Sequence, residues 1–141
     1  AAAEVGRQMI NAMSYLHTHN VVHRDLKLEN WLYADTNRQT LKLIDFGFSK
    51  VWSDADDPMY APCGTTDYVA PEVLLHEGYN NKCDMWSLGV IIFMLLSGAA
   101  PLHAEKGKSL QSKIKHGDVD WGLLDRKCTI SPEARDFLSS L

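Results

Sequence analysis

The run from Asp84 to Ser97 constrains the fold more than any other stretch. Met85, Trp86, Leu88, Val90, Ile91, Ile92, Phe93, Met94, Leu95 and Leu96 crowd it, and Gly98 closes it. At helical spacing these side chains point all the way round the axis and leave no polar face for water. Such a helix must be buried. A bilayer cannot do this, because Leu88 to Leu96 is far shorter than the ~20 apolar residues a spanning helix needs. The rest of the chain has to wrap it, and 141 residues suffice to do so in one domain.

Period and capping residues pick out the wrapping segments. Val5, Met9, Ala12, Met13 and Leu16 recur at helical spacing, which predicts a helix with one core-facing stripe over Ala1 to His19. Ser131-Pro132-Glu133 supplies an N-cap serine, a first-turn proline and an acid, which predicts a final helix running to Leu141. Leu110 and Ile114 mark a weaker helix ending at Gly117, and Val73 to His76 reads as a short helical turn. Trp31-Leu32-Tyr33 and Leu41-Lys42-Leu43-Ile44 flank the polar stretch Asp35–Gln39 and predict a β-hairpin. From Asp45 to Glu72 no period is sustained, and the segment reads as a long loop. The expected class is mainly α, a helical bundle around the central helix with one short hairpin.

Chemistry concentrates in His23-Arg24-Asp25-Leu26-Lys27-Leu28-Glu29-Asn30, just after the apolar pair Val21-Val22. An aspartate can accept the proton of an attacking hydroxyl, a nearby lysine can hold a phosphoryl oxygen, and an asparagine oxygen can ligate Mg²⁺. Asp45-Phe46-Gly47 adds a second carboxylate at the end of Leu41–Ile44. Two loops with cation-ligand chemistry, each leaving a strand, suit phosphoryl transfer, where positioning and charge neutralisation supply most of the catalysis.

His-Arg-Asp-Leu-Lys-x-x-Asn followed by Asp-Phe-Gly resembles the catalytic core of a eukaryotic serine/threonine protein kinase. The resemblance continues through Ala70-Pro71-Glu72 and Asp84-Met85-Trp86-Ser87-Leu88-Gly89, in the family's order and spacing. It implies Asp25 as catalytic base, Lys27 as stabiliser of the transferring phosphoryl group, and Asn30 and Asp45 as the Mg²⁺ ligands that hold ATP. It also implies that Leu32 lies beneath the adenine ring, although core packing would equally explain a leucine there. Thr65 matches the threonine that bonds the catalytic aspartate and lysine, which favours serine or threonine acceptors. Its simpler reading is a loop hydroxyl satisfying local backbone. Glu29 lies beside the peptide path and would meet a substrate arginine, with Met94 standing where a second acid often helps. His23 and Phe46 match two members of a hydrophobic stack.

The same resemblance makes residues 1–141 a partial kinase domain, the C-lobe only, truncated at both ends. The N-lobe would lie elsewhere, with its Gly-rich loop, strand lysine and adenine hinge, and the segment alone would be inactive. Asn20 to Asp25, Lys82 to Val90 and Ile130 to Leu138 look most like calcium/calmodulin-dependent and calcium-dependent protein kinases. That likeness implies a calcium-sensing regulatory module outside the chain, since no EF-hand pattern occurs within it. An alternative is a non-catalytic, pseudokinase-like docking or regulatory module, against which the intact Asp25, Lys27, Asn30 and Asp45 argue. A small-molecule kinase is disfavoured by Lys27 and by the peptide-seating segment through Glu72.

Three further readings concern single residues. Asp84 can cap its own helix, and the resemblance implies that it also bonds the backbone around His23-Arg24; both roles can hold together. Cys63 is either a small buried residue or an oxidisable thiol in the peptide-binding loop. Many kinases with an Arg-Asp loop phosphorylate the position held here by Ala61, which cannot be phosphorylated. Arg24 then needs another anion if drawn inside, and Asp54, Asp56 and Asp57 either supply it or are solvated loop acids. The expectation is a kinase switched from outside this segment, with Ser53 and Tyr60 as other phosphorylatable positions.

Charge adds exclusions. Fourteen basic against 18 acidic residues, net −4 with no basic run, argue against nucleic acid or an anionic membrane as partner. Three widely spaced cysteines form no disulfide or zinc pattern, and no secretion signal opens the chain, so a cytoplasmic setting is expected.

Overall fold

The computed structural model describes residues 2–141. Its elements run α1 (Ala2–Thr18), β1 (Val21–Val22), β2 (Trp31–Tyr33), β3 (Leu41–Leu43), β4 (Lys50–Val51), α2 (Pro71–Leu74), α3 (Lys82–Ser97), α4 (Leu110–His116), α5 (Trp121–Lys127) and α6 (Pro132–Ser140). The predicted first helix is present, with Ala1 outside the described residues.

Helix α3 is the axis. Leu88 and Ile91 are fully buried, and Val90, Ile92 and Phe93 join a core with Met9 and Met13 of α1, Leu124 of α5 and Leu138 of α6. Each such side chain contributes about 1.5–3 kcal/mol by leaving water. The wrapping is not complete: Leu95 remains 38% exposed, and Met85, Trp86, Met94 and Leu96 are half-buried. The helix stops where Gly98 takes a left-handed φ of 73° and its N–H reaches the Met94 carbonyl at 2.8 Å. Ser131 caps α6 as expected, its hydroxyl accepting from the Ala134 amide. Gly117 likewise ends α4 in the left-handed region.

The predicted hairpin forms, pairing Trp31 with Leu43, Leu32 with Lys42 and Tyr33 with Leu41. Gln8 of α1 clips it to the bundle: its amide donates to the Gln39 carbonyl at 2.8 Å and its oxygen accepts from the Leu41 amide at 2.9 Å. Trp31 is buried while Leu32 on the opposite face is 49% exposed, as strand alternation requires.

Three features depart from the sequence reading. A second small sheet joins β1 to β4, pairing Val21 with Val51 and Val22 with Lys50; strands of two residues leave no period to detect. Helix α5, capped by the Asp120 side chain, lies where no element was predicted. The turn expected at Val73–His76 is the helix α2, shifted towards the N-terminus because Pro71 starts it. The long loop, meanwhile, packs into a second core, where its Trp52, Met59, Val69 and Ala70 meet Val22 of β1, Val73 of α2, Tyr79 and Cys83 of α3. No helix among the described residues is long and apolar enough to cross a membrane.

Candidate active site

Asp84, 1% exposed in the first turn of α3, anchors the loop that follows β1. Its Oδ2 accepts from the His23 amide and its Oδ1 from the Arg24 amide, both at 2.8 Å. His17 Nε2 lies 3.0 Å from the same Oδ2. The carboxylate is thus committed to the loop, and the capping role is not observed: Asn81 is the N-cap before Lys82, and no side chain caps the helix start. Nothing in the sequence singled out His17. Arg24 turns the chain at a left-handed φ of 67°.

Beyond that turn, four side chains from two segments converge. Asp25, 5% exposed, accepts from Lys27 Nζ at Oδ2 and from the Thr65 hydroxyl at Oδ1, each at 2.8 Å. Lys27 Nζ also lies 3.4 Å from Thr65 Oγ1. Thr65 therefore spends its hydroxyl on Asp25 rather than on local backbone. The hydrogen bond to Asp25 holds the Lys27 ammonium above its ordinary range, with the charges of Asp25, Asp45 and Glu29 adding to it against partial desolvation. Buried Asn30 donates from Nδ2 to the Asp25 carbonyl at 3.0 Å, and among the described residues no donor reaches its Oδ1.

The second loop docks on the first. The Ile44 amide donates to the Asn30 carbonyl at 2.9 Å, and His23 Nε2 lies 3.3 Å from the Ile44 carbonyl. The His23 ring meets Phe46 edge-on at 5.0 Å, so the two members expected to stack do touch. Just before Phe46 in the chain, Asp45 is exposed at φ 64°, a conformation that aspartate tolerates better than most residues. Its Oδ1 accepts the Gly47 amide at 3.2 Å. Glu29 is exposed and takes a long hydrogen bond from Tyr68 at 3.4 Å, and Leu32 stands open on the hairpin.

Delivery of Thr65 depends on Gly64, which the sequence reading passed over. At φ 101° a Cβ there would lie 2.8 Å from the Arg24 carbonyl oxygen, so only glycine lets the segment lie on the loop.

Arg24 bears on the two readings of the acidic cluster. Its Nε donates to the Phe48 carbonyl at 2.7 Å and its Nη1 to the Tyr79 hydroxyl at 3.2 Å, and among the described residues no carboxylate pairs with it. Asp56 instead accepts from the amide and hydroxyl of Ser53, and Asp54 and Asp57 are exposed. The half-buried guanidinium is satisfied by neutral oxygens, so the acidic cluster has no call to reach it. Cys63 is half-buried, its Sγ 3.5 Å from the Tyr79 hydroxyl.

Comparison with known proteins gives a consistent result. The protein kinase domain model matches residues 1–141. The chain is 44% identical over 141 residues to a calcium and calcium/calmodulin-dependent serine/threonine-protein kinase of Lilium longiflorum, covering 99% of this chain and 27% of that one. It is 46% identical over 152 residues to ribosomal protein S6 kinase alpha-4 of Mus musculus, with 99% and 19% covered. A probable myosin light chain kinase of Dictyostelium discoideum is 38% identical over 140 residues, with 99% and 44% covered. The chain thus spans less than half the length of each of these relatives.

Proposed function

This chain belongs to the protein kinase domain family, and from that premise we propose that it carries the phosphoryl-transfer site of a protein serine/threonine kinase. The observation behind the proposal is the convergence of Lys27 and Thr65 on the Asp25 carboxylate, each at 2.8 Å. A carboxylate held by two donors has one orientation, and it can present a lone pair to an incoming hydroxyl without reorganising. Asp25 orients the serine or threonine hydroxyl of a protein substrate and takes up its proton. Lys27, kept protonated by its neighbours, meets the charge that builds on the phosphoryl group. Thr65 ties the peptide-seating segment to the reacting centre, and Glu29 is placed to attract a basic side chain of the peptide.

Asn30 and Asp45 suit Mg²⁺. No cluster of three or more His, Cys, Asp or Glu exists among the described residues to hold a metal by itself. Mg²⁺, however, commonly takes one or two carboxylates together with substrate phosphates. The unengaged Asn30 Oδ1 and the exposed Asp45 carboxylate are the donors such a shared site needs. Bound with ATP, the cation would neutralise phosphate charge.

Residues 1–141 form, on this reading, the C-lobe portion of the domain, to which an N-lobe adds the Gly-rich loop. Leu32, Ile44, Phe46, Phe48 and Val51 stand exposed around the hairpin and the Asp45 loop, an apolar set suited to such a cover, with Leu32 beneath the adenine. The relatives' names support a calcium-sensing regulatory module outside these residues. A cytoplasmic setting suits both ATP and three free cysteines.

The test compares Asp25→Asn with Asp45→Asn in the full-length protein. Asp25→Asn should leave nucleotide affinity within about threefold and lower kcat by orders of magnitude, while Asp45→Asn should weaken both. Equal losses of nucleotide affinity would overturn the assignment. Residues 1–141 expressed alone should transfer no phosphate; turnover within a hundredfold of about 1–100 s⁻¹ would refute the two-lobe reading.

A further inference from the structure

Tyr79 is buried, 3% exposed, and none of the roles above uses it. Its hydroxyl donates to the Ala61 carbonyl at 2.7 Å and accepts from Arg24 Nη1 at 3.2 Å. A carbonyl can only accept and a guanidinium can only donate, so the direction of both bonds is settled. The same guanidinium donates through Nε to the Phe48 carbonyl at 2.7 Å. One arginine therefore holds the 45–72 segment directly near its beginning, at Phe48, and further along, at Ala61, through Tyr79. The backbone repeats the attachment: the amides of Met59 and Tyr79 each donate to the other's carbonyl, at 2.8 and 2.9 Å. Gly78 allows this approach, because a Cβ there would lie 2.8 Å from the Pro58 Cβ.

From Ala61 the chain needs only Pro62 and Cys63 to reach Gly64, which rests on the Arg24 carbonyl, and then Thr65, which bonds Asp25. We propose that Tyr79 is a positioning residue for phosphoryl transfer: its hydroxyl cross-links Ala61 to Arg24 and so holds Thr65 against Asp25 in the unmodified chain. The inference rests on Asp25 being the reacting centre and adds a regulatory consequence, that the segment is ordered without any covalent modification. Burial of the phenol, which pushes its pKa up to about 12, keeps the donated proton in place throughout the ordinary pH range.

The experiment uses the full-length protein, with Tyr79→Phe removing the oxygen and keeping the ring. Expected are an unchanged KM for ATP and a loss of about tenfold or more in kcat/KM for a peptide. Amide hydrogen exchange should quicken at residues 59–65 and stay unchanged in α3. Arg24→Gln should show the same pattern, and adding Tyr79→Phe to it should cost little more, because both changes cut one link. Phosphatase treatment should leave wild-type activity standing. Peptide kinetics and exchange unaltered by Tyr79→Phe would overturn the proposal, as would additive losses in the double variant or loss of most wild-type activity on dephosphorylation. Should Tyr79→Phe not fold, exchange in Arg24→Gln decides alone: protection retained at residues 59–65 overturns it. Asp25→Asn, assayed in parallel, separates the two readings, since activity surviving there would refute the reacting centre and not the cross-link.

Discussion

The Thr65 hydroxyl donates to Asp25 Oδ1 at 2.8 Å, although the two residues stand 40 positions apart in the chain. The contact joins the loop after β1 to the segment before α2, and it closes only because Gly64 has no side chain to strike the Arg24 carbonyl. On the function proposed above, this one hydroxyl couples peptide seating to proton acceptance.

Replacing Thr65 with Val keeps its branched shape and removes that hydroxyl. One hydrogen bond to a charged group is worth about 1.5–3 kcal/mol, so kcat/KM for peptide should fall roughly 10- to 100-fold with ATP affinity little changed. Thr65→Ser should restore most of it. Steady-state kinetics on the full-length protein check this, and a serine variant as poor as valine would show that the methyl group matters instead.

Removing the Asp84 carboxylate orphans the buried His23 amide and the partly buried Arg24 amide and takes away the partner of His17. Asp84→Ala should cost about 3–5 kcal/mol, read from the midpoint of denaturant unfolding. Asp84→Asn, which keeps one accepting oxygen, should cost less.

Two glycines with left-handed backbones should respond differently to alanine. Gly98, at φ 73°, has no atom within 4 Å of an added Cβ, so Gly98→Ala pays only the conformational penalty of about 1–2 kcal/mol. Gly64→Ala meets the Arg24 carbonyl at 2.8 Å and must push the segment off the loop. Peptide phosphorylation should collapse in the Gly64 variant and survive in the Gly98 variant. Similar activities in the two would show that the segment has room to move.

Alkaline pH should destabilise the fold through Tyr79. Burial raises its pKa from 10.0 to about 12, so the folded state keeps a proton that the unfolded state loses. This contribution is complete below pH ~10 and disappears as pH rises towards ~12. Burial pushes the Cys83 thiol up as well, with the charges of Asp84 and Glu72 adding to it, so this group acts in the same direction above its ordinary value. Unfolding midpoints should fall between pH 9 and pH 11, and Tyr79→Phe should flatten the decline. In the native protein at pH 8, Cys83 should also be the last of the three thiols to react with iodoacetamide.

The central helix, the first and last helices and the hairpin were legible in the sequence alone. Each is written in local signals: ten apolar side chains round one axis, a serine and proline at a helix start, a glycine at a helix end, two short apolar runs around a polar stretch. Such signals act over a few residues, and sequence displays them directly. Other features were decided only when distant segments met. Asp84 could serve its own helix, the loop or both, and its carboxylate serves the loop, accepting from the His23 and Arg24 amides. Sequence left open whether the acids of the segment meet Arg24 or stay solvated; Arg24 bonds the Phe48 carbonyl and the Tyr79 hydroxyl, neutral oxygens that no composition or spacing marks as partners. Strands β1 and β4 pair over two residues each, too few to show a period. Local conformation follows from neighbours along the chain. The partners of a buried polar group are chosen among everything the fold brings within reach, and that set exists only in three dimensions.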